Sequence, residues 1–471
     1  MLTIRAMSDG KGYSSRHLEH SDYYAEGERV VGHWQGRGAE ILGLGGEVSP
    51  QDFEALREGL RPATGEFLRQ RQSADRVSAD GMIRSHGRNL YDFTISAPKS
   101  VSIAAILGDD RRLLEAHKKA VAETLRELEV HALTRVRLDG ANENRNTGNL
   151  ALAVYHHDTS RELDPQLHTH AVAANLTFDA AEGRWKALQA SGIYERRAYL
   201  TEVYRNALAR EVLRVGYEIE DSRDAKGRDS GFEIRGVSEA LILKFSRRSQ
   251  QRDEAIARFA ASRGRPPTNN EIAVLIRESR ADKLTEISTC DLRGRQRERL
   301  TMAETRRLTQ LRHESSLSLA HMKSAKESLD YAMEHLFERV SVCRDHEALA
   351  EALRHGRGKI NQRELLGELA FRELAGAVLR KGNEIATVAS LEREKEMIAW
   401  LNRGIGSCQR LGGDAQFVVS GRLSQEQKHT IEFVLDSTDR AVNISGAAGT
   451  GKTAALEELR RGLKQAKREV V

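Results

Sequence analysis

The stretch His157-Asp-Thr-Ser-Arg-Glu-Leu-Asp-Pro-Gln-Leu-His-Thr-His170 decides how the first half of this chain folds. His168 and His170 stand two residues apart at the head of His168-Thr-His-Ala-Val-Ala-Ala-Asn-Leu-Thr177, which alternates as a strand does. Side chains at i and i+2 of a strand share a face, so both imidazoles point the same way. Asp164-Pro165 is a turn signal. It lets the chain reverse between Asp158 and Leu167 and lays the strand-like Leu150-Ala-Leu-Ala-Val-Tyr-His-His157 alongside, with His157 next to the other two histidines. A lone histidine more often caps a turn, but three converging from two strands make a ready site for a divalent cation. His156 faces the other way and stays outside the set.

Working outward, Leu90-Tyr-Asp-Phe-Thr-Ile-Ser96 reads as another strand. Apolar residues at helical spacing mark Asp110 to Val130 and an amphipathic helix over Ala198 to Arg214. Residues 1–235 are therefore expected to form an α+β domain, an antiparallel sheet carrying the histidines with helices behind it. Residues 236–340 read as helical, polar and rich in arginine, broken at Pro266-Pro267 with Thr268 or Asn269 as the next cap. A third region, 341–471, leads into a strand, loop and helix at the C-terminus. A chain of 471 residues is long for one domain, so this division is of the expected order.

The net charge of +5 and pI near 9.0 suit a polyanionic partner without demanding one. Arginine clusters say more, and Arg247 and Arg248 in Phe245-Ser-Arg-Arg-Ser-Gln-Gln-Arg-Asp253 are candidates for phosphate contact, against a solvated helix face. Three widely spaced cysteines, Cys290, Cys343 and Cys408, build neither a disulfide framework nor a zinc-finger spacing and point to a reducing compartment. No apolar run approaches the roughly 20 residues needed to cross a bilayer, so membrane insertion is not expected.

The histidine spacing, with Gln166-Leu-His-Thr-His-Ala-Val172, Thr147-Gly-Asn-Leu150, Trp34-Gln-Gly-Arg-Gly-Ala-Glu-Ile-Leu-Gly-Leu44 and Asp92-Phe-Thr-Ile-Ser-Ala-Pro-Lys-Ser-Val-Ser102, resembles the HUH endonucleases, in the form found in TrwC/TraI (MobF) conjugative relaxases. The resemblance covers most of residues 1–235. It implies a nickase and strand transferase that cuts single-stranded or supercoiled origin DNA through a tyrosine, with Mg²⁺ or Mn²⁺ on His157, His168 and His170. It places Asp92 behind a ligand histidine, where a carboxylate fixes the ring tautomer and raises its basicity. Tyr23-Tyr24 resembles the second tyrosine pair of the family, whereas Tyr13, followed by Ser14, lacks the partner usual in the upstream cluster. Tyr23 is the favoured nucleophile, Tyr13 the other candidate for the first nick. Family partners would be a coupling protein and the type IV secretion machinery, in a bacterial cytoplasm from which the protein is exported with the DNA. A rolling-circle replication initiator and a silent origin-binding relic are the rival readings.

At the far end Gly446-Ala-Ala-Gly-Thr-Gly-Lys-Thr453 satisfies the phosphate-binding loop pattern, with Ala441-Val-Asn-Ile444 expected as a buried strand before it and Ala454 to Leu463 as a helix after it. Backbone N–H groups around Gly446, Gly449 and Gly451 would cradle ATP phosphates, Lys452 would reach the terminal ones and Thr453 would hold Mg²⁺. Leu423-Ser-Gln-Glu-Gln-Lys428 resembles the adenine-contacting glutamine motif of RecD-like superfamily-one helicases, through Gln427. The chain stops one helix later, so the expectation is the start of a P-loop α/β helicase domain, truncated and unable to unwind DNA alone.

Overall fold

A computed structural model describes residues 1–7, 30–70, 76–77, 83–85, 87–160, 162–268, 271–272, 274–275, 289–314, 323–414 and 416–469. In chain order, the elements that position the site are β1 (Leu2–Met7), β2 (His33–Gln35), β3 (Leu90–Ser96), α1 (Lys99–Ile106), α2 (Arg111–Val130), β4 (Leu133–Leu138), β5 (Ala141–Asn146), β6 (Leu152–Thr159), β7 (Pro165–Ala174), α3 (Arg197–Arg214), β8 (Ile219–Arg223), β9 (Asp229–Ile234), α4 (Arg247–Arg263), α5 (Thr289–Glu298) and α6 (Asp345–His355). The second compact unit contributes α7 (Gln425–Asp436) and α8 (Lys452–Gln465).

Five strands form one sheet in the order β1-β3-β7-β6-β2, every pairing antiparallel. The three central strands are rich in β-branched, aromatic and alanine residues and are buried on both faces for most of their length. On one face lie Phe93, Ile95, Val154, Ala171 and Ala173, covered by helices. There α2 presents Leu113, Ala116, Ala120, Val121, Leu125 and Leu128, all buried at a helical spacing. Each fully buried leucine or valine is worth about 1.5–3 kcal/mol relative to exposure. Asp110 caps α2 by accepting from the Arg112 N–H at 3.0 Å. On the opposite face, Met7, Trp34, Leu90, Ala153, Tyr155, Val172, Ala174 and Trp185 make a second core at one end of the sheet. The other end of that same face carries the polar residues of the site.

One expectation changes. The helix over Arg197–Arg214 is not amphipathic in the structure: Tyr199, Leu200, Val203, Tyr204, Ala207, Leu208 and Val212 are buried around it. It packs between α2 and α6, so no face is left for solvent. The sequence divided the chain at 235/236 and 340/341, and the structure groups its residues into two compact units. Residues 1–336 with 344–371 form one compact unit, and 337–343 with 372–471 the other. The arginine-rich helices and α6 therefore belong with the first domain. Arg357 explains part of this, its guanidinium pairing with Glu202 at 3.2 Å, Asp221 at 2.6 Å and Asp229 at 2.8 Å. Asn206 donates to the Ile360 carbonyl at 3.0 Å and Gln362 to the Tyr199 hydroxyl at 3.0 Å. No composition shift in the sequence marks such long-range pairs.

Candidate metal and DNA-cleavage site

The β6–β7 pairing sets His157 directly opposite His168 and Tyr155 opposite His170. The β3–β7 register brings Thr94 opposite His170 and Ser96 opposite His168. Strand alternation then puts His157, His168, His170, Asp92 and Thr94 on one face. The three imidazole centroids stand 5.2, 5.3 and 5.5 Å apart, a near-equilateral set drawn from two strands.

Hydrogen bonds behind the rings fix their tautomers. Asp92, only 3% exposed, accepts from His170 Nδ1 at 2.8 Å, and Thr94 donates to the same carboxylate at 3.3 Å. His168 Nδ1 donates to the Gln166 carbonyl at 3.0 Å. A carboxylate or carbonyl only accepts, so in both rings the proton sits on Nδ1 and the lone pair on Nε2. Burial, reinforced by neighbouring His170, holds the His168 pKa down to about 4. That ring is neutral at pH 7, as a ligand must be. The donor set and its backing therefore fit a divalent cation. Among the described residues no group of three or more His, Cys, Asp or Glu stands in a geometry that could hold a metal ion as it is.

Sequence reasoning missed what lies on the reverse face. Thr169, between His168 and His170, points to the helices, where its hydroxyl bonds His117 Nε2 at 2.9 Å and His156 Nδ1 at 2.7 Å. His117 Nδ1 meets the Tyr204 hydroxyl at 2.7 Å. This buried chain ties β6 and β7 to α2 and α3 directly behind the site. Burial keeps His117 well below its ordinary pKa, and His156 at about 4. No local pattern signals it, because its members are brought together only by the tertiary fold.

Arg247, the expected phosphate contact, is engaged by the hairpin beside the site. Its backbone N–H donates to Asp164 Oδ2 at 3.0 Å and its Nε to Asp164 Oδ1 at 3.2 Å, in the loop between β6 and β7. Its side chain stays 43% exposed beyond that pairing. Arg248 lies exposed at the start of α4.

A second surface was also missed. In the β4–β5 ribbon Arg135 pairs opposite Asn144 and Arg137 opposite Asn142. Directly opposed residues share a face, and all four are exposed. Asn and Glu are poor strand formers, so Ala141–Asn146 gave no strand signal, while the alternation in Leu133–Leu138 was overlooked.

A family model described as TrwC relaxase matches residues 7–303. The chain belongs to the TrwC relaxase family. Its relatives include the multifunctional conjugation protein TraI of Escherichia coli (strain K12), 36% identical over 274 residues, and a second Escherichia coli TraI at 35% over the same length. Both matches cover 56% of this chain and only 14% of the relative, so the chain spans a small part of those proteins. Among solved structures, the conjugative relaxase TrwC in complex with oriT DNA is similar in a copper-bound form at a TM-score of 0.53 and a metal-bound form at 0.52. Each is 33% identical, covering 64% of this chain and 97% of that one. The blocks that carry this TrwC-type likeness have physical roles. Glu129, buried in α2, accepts from the Arg37 N–H at 2.6 Å and the Leu150 N–H at 2.7 Å, knitting Trp34–Gly38 to the start of β6. Gly36, at φ 95°, has no room for a side chain, since a Cβ would lie 2.4 Å from the Leu150 carbonyl.

Tyr13, Tyr23 and Tyr24 of this TrwC relaxase family member lie outside the described residues. In the second unit an AAA domain model matches residues 422–471. The phosphate loop there leads into α8, with Gly449 at φ 82° and Gly451 at φ 73°. Lys452 folds back over it, donating to the Gly446 carbonyl at 2.7 Å and that of Ala447 at 2.8 Å, while Thr453 lies exposed in the first turn of α8. Gln427 shares a capping box with Ser424 at the start of α7 and donates to the Thr450 carbonyl at 2.9 Å. The strand expected at Ala441–Ile444 is not formed, and Val442 alone of its residues is partly buried. A strand needs a hydrogen-bonded neighbour, and none lies beside it among the described residues.

Proposed function

We propose that the chain is a site- and strand-specific DNA nickase and strand transferase of conjugation. One observation carries this: three histidines from paired strands converge on the sheet face where Asp92 backs His170. A divalent cation, Mg²⁺ or Mn²⁺, held by His157, His168 and His170 supplies neutralising charge at a scissile phosphate. Asp92 keeps His170 in the ligating tautomer and Gln166 does the same for His168. Tyr23, or Tyr13 in its place, attacks phosphorus in line through its phenol oxygen, losing its proton as it does so. The phosphorus–O3′ bond breaks, leaving a free 3′-hydroxyl and a 5′-phosphotyrosyl link that a later 3′-hydroxyl reverses. Tyr24 stands beside Tyr23 in sequence and is the reserve for the second transfer.

Origin DNA is the substrate this reading requires, and one TrwC relative was solved with DNA comprising a recognition hairpin and the cleavage site. The exposed Arg135, Arg137, Asn142 and Asn144 have the chemistry that reads a duplex groove, arginine pairing with guanine and asparagine with adenine. The coupling protein and secretion machinery are further partners under this reading, with a cytoplasmic location before export. The loop Gly446–Thr453, with Gln427, suits ATP.

The test is adduct formation on a denaturing gel with a single-stranded origin oligonucleotide and Mn²⁺. The wild type is expected to form adduct, His168→Ala to form none while still binding DNA, and Tyr23→Phe to lose it. Adduct lost in Tyr13→Phe instead assigns the first nick to Tyr13. Adduct that survives the triple Phe variant of Tyr13, Tyr23 and Tyr24 excludes the tyrosine mechanism, and none from wild type under any metal favours a silent DNA-binding relic.

A further inference from the structure

The loop joining β6 to β7 leads at one end into His157 and at the other into His168. Residues more than eighty positions downstream converge on its tip. Asp164, 1% exposed, is gripped by the backbone and side chain of Arg247 and by Arg299 Nη1 at 2.7 Å. Arg293 in α5 pairs with Asp158, the residue after His157. Gln296, 1% exposed, donates to the Leu163 carbonyl at 2.8 Å, and Leu292 packs on Leu163. Leu163 itself sits at φ 60°, a left-handed conformation leucine rarely adopts. Such a backbone persists only where its surroundings over-determine it. The Arg299 guanidinium is held in turn 4.3 Å over the Phe245 ring.

We propose that Arg247, Arg293, Gln296 and Arg299 are positioning residues for the metal site: they hold the β6–β7 tip, and the seating of α4 and α5 thereby sets the cation affinity of the three histidines. This rests on the metal reading given above. The physical reason is charge. Asp164 is buried where an unpaired carboxylate is costly, so the tip keeps its shape only while the arginines stay seated. A hairpin whose tip loosens lets its two strands shift, and His157 and His168 are directly opposed on those strands. Arg247, a candidate phosphate contact in the sequence, is thereby partly committed to the metal hairpin.

The experiment is Mn²⁺ binding to the full chain without nucleic acid, read from the electron paramagnetic resonance of free Mn²⁺, with metal-free thermal unfolding in parallel. Arg293→Ala and Asp164→Asn are expected to weaken Mn²⁺ binding by about 10–100-fold, the range for residues that orient metal ligands. Arg293→Lys should retain most of the affinity. Arg252→Ala, which removes only an exposed pair with Asp253 in α4, should match wild type. If Asp164→Asn does not fold, Arg293→Ala decides. Folded Arg293→Ala that binds Mn²⁺ as tightly as wild type overturns the proposal, as does an equal loss in Arg252→Ala. If His168→Ala binds Mn²⁺ like wild type, the metal reading fails and this one with it. A loss in His168→Ala alone refutes only the clasp.

Discussion

His117 shows how one buried side chain links the site to stability. Its ring is 3% exposed, with both nitrogens engaged by Tyr204 and Thr169. Burial first, then the proximity of His156 and His168, keeps its folded pKa well below the ordinary 6.5. The folded ring therefore stays neutral while the unfolded chain takes up a proton below about pH 6.5. Stability from this residue is complete above that pH. It falls by about 1.4 kcal/mol per pH unit as pH drops, until the folded ring protonates too. His156 and His168, both held at about 4, act with the same sign between pH 6.5 and 4. His117→Gln keeps a donor and an acceptor but cannot titrate. Urea unfolding of metal-free protein at pH 7.5, 6.5 and 5.5 should show the variant losing less stability on acidification than wild type, by about one proton's worth of slope. Equal slopes would remove His117 from the account. Asp92 makes a different case: a carboxylate among Tyr91 and Phe93 already announced a partner in the sequence, and His170 is that partner.

At the scale of elements, the β4–β5 ribbon carries a prediction of its own. Arg135, Arg137, Asn142 and Asn144 form one exposed face, and a ribbon of this kind fits a major groove. Binding to a pool of DNA hairpins with randomised stems should enrich particular stem sequences for wild type. Arg135→Ala with Arg137→Ala should lose that enrichment, since each good bidentate contact is worth about 1–3 kcal/mol of discrimination. Unchanged enrichment would return the ribbon to a solvated surface. How much was legible follows from what forms each element. β3 spans Leu90–Ser96 as read, because alternation and apolar content set it locally. β6 and β7 were read at Leu150–His157 and His168–Thr177, yet they run Leu152–Thr159 and Pro165–Ala174, since Pro165 pairs with Thr159 across a turn tighter than the sequence indicates. The triad was legible because strand period and turn chemistry suffice to converge three side chains. Arg247's partner, the Thr169 relay and the ribbon were not, because each depends on pairing between distant segments. The strand expected at Ala441–Ile444 shows the reverse error, a local apolar pattern without a ladder to join.

At the scale of the molecule, the divide between the two compact units falls at residue 371/372 rather than 340/341, with 337–343 grouped with the second. The reason can be tested by truncation. α6 covers α3, whose Tyr199, Leu200, Tyr204, Leu208 and Val212 are buried on every side. The segment after α6 supplies Arg357, a second cation beside Arg205 for Glu202 and Asp229. A fragment of residues 1–340 would expose that apolar face and leave Glu202 of α3 and Asp229 of β9 to share Arg205 alone. Removing one partner of a buried pair costs about 3–5 kcal/mol where the other is left unpaired, and Arg205 reduces that cost here. Residues 1–371 should therefore melt in one transition, with folded circular dichroism, whereas 1–340 should melt several degrees lower or fail to fold. Arg357→Met in the full chain isolates the electrostatic part: it should lower the midpoint of the first unit while leaving α6 in place. If 1–340 melts with the same midpoint as 1–371, then α6 and Arg357 merely rest on the first domain, and the sequence-based boundary is the better description of what folds as a unit.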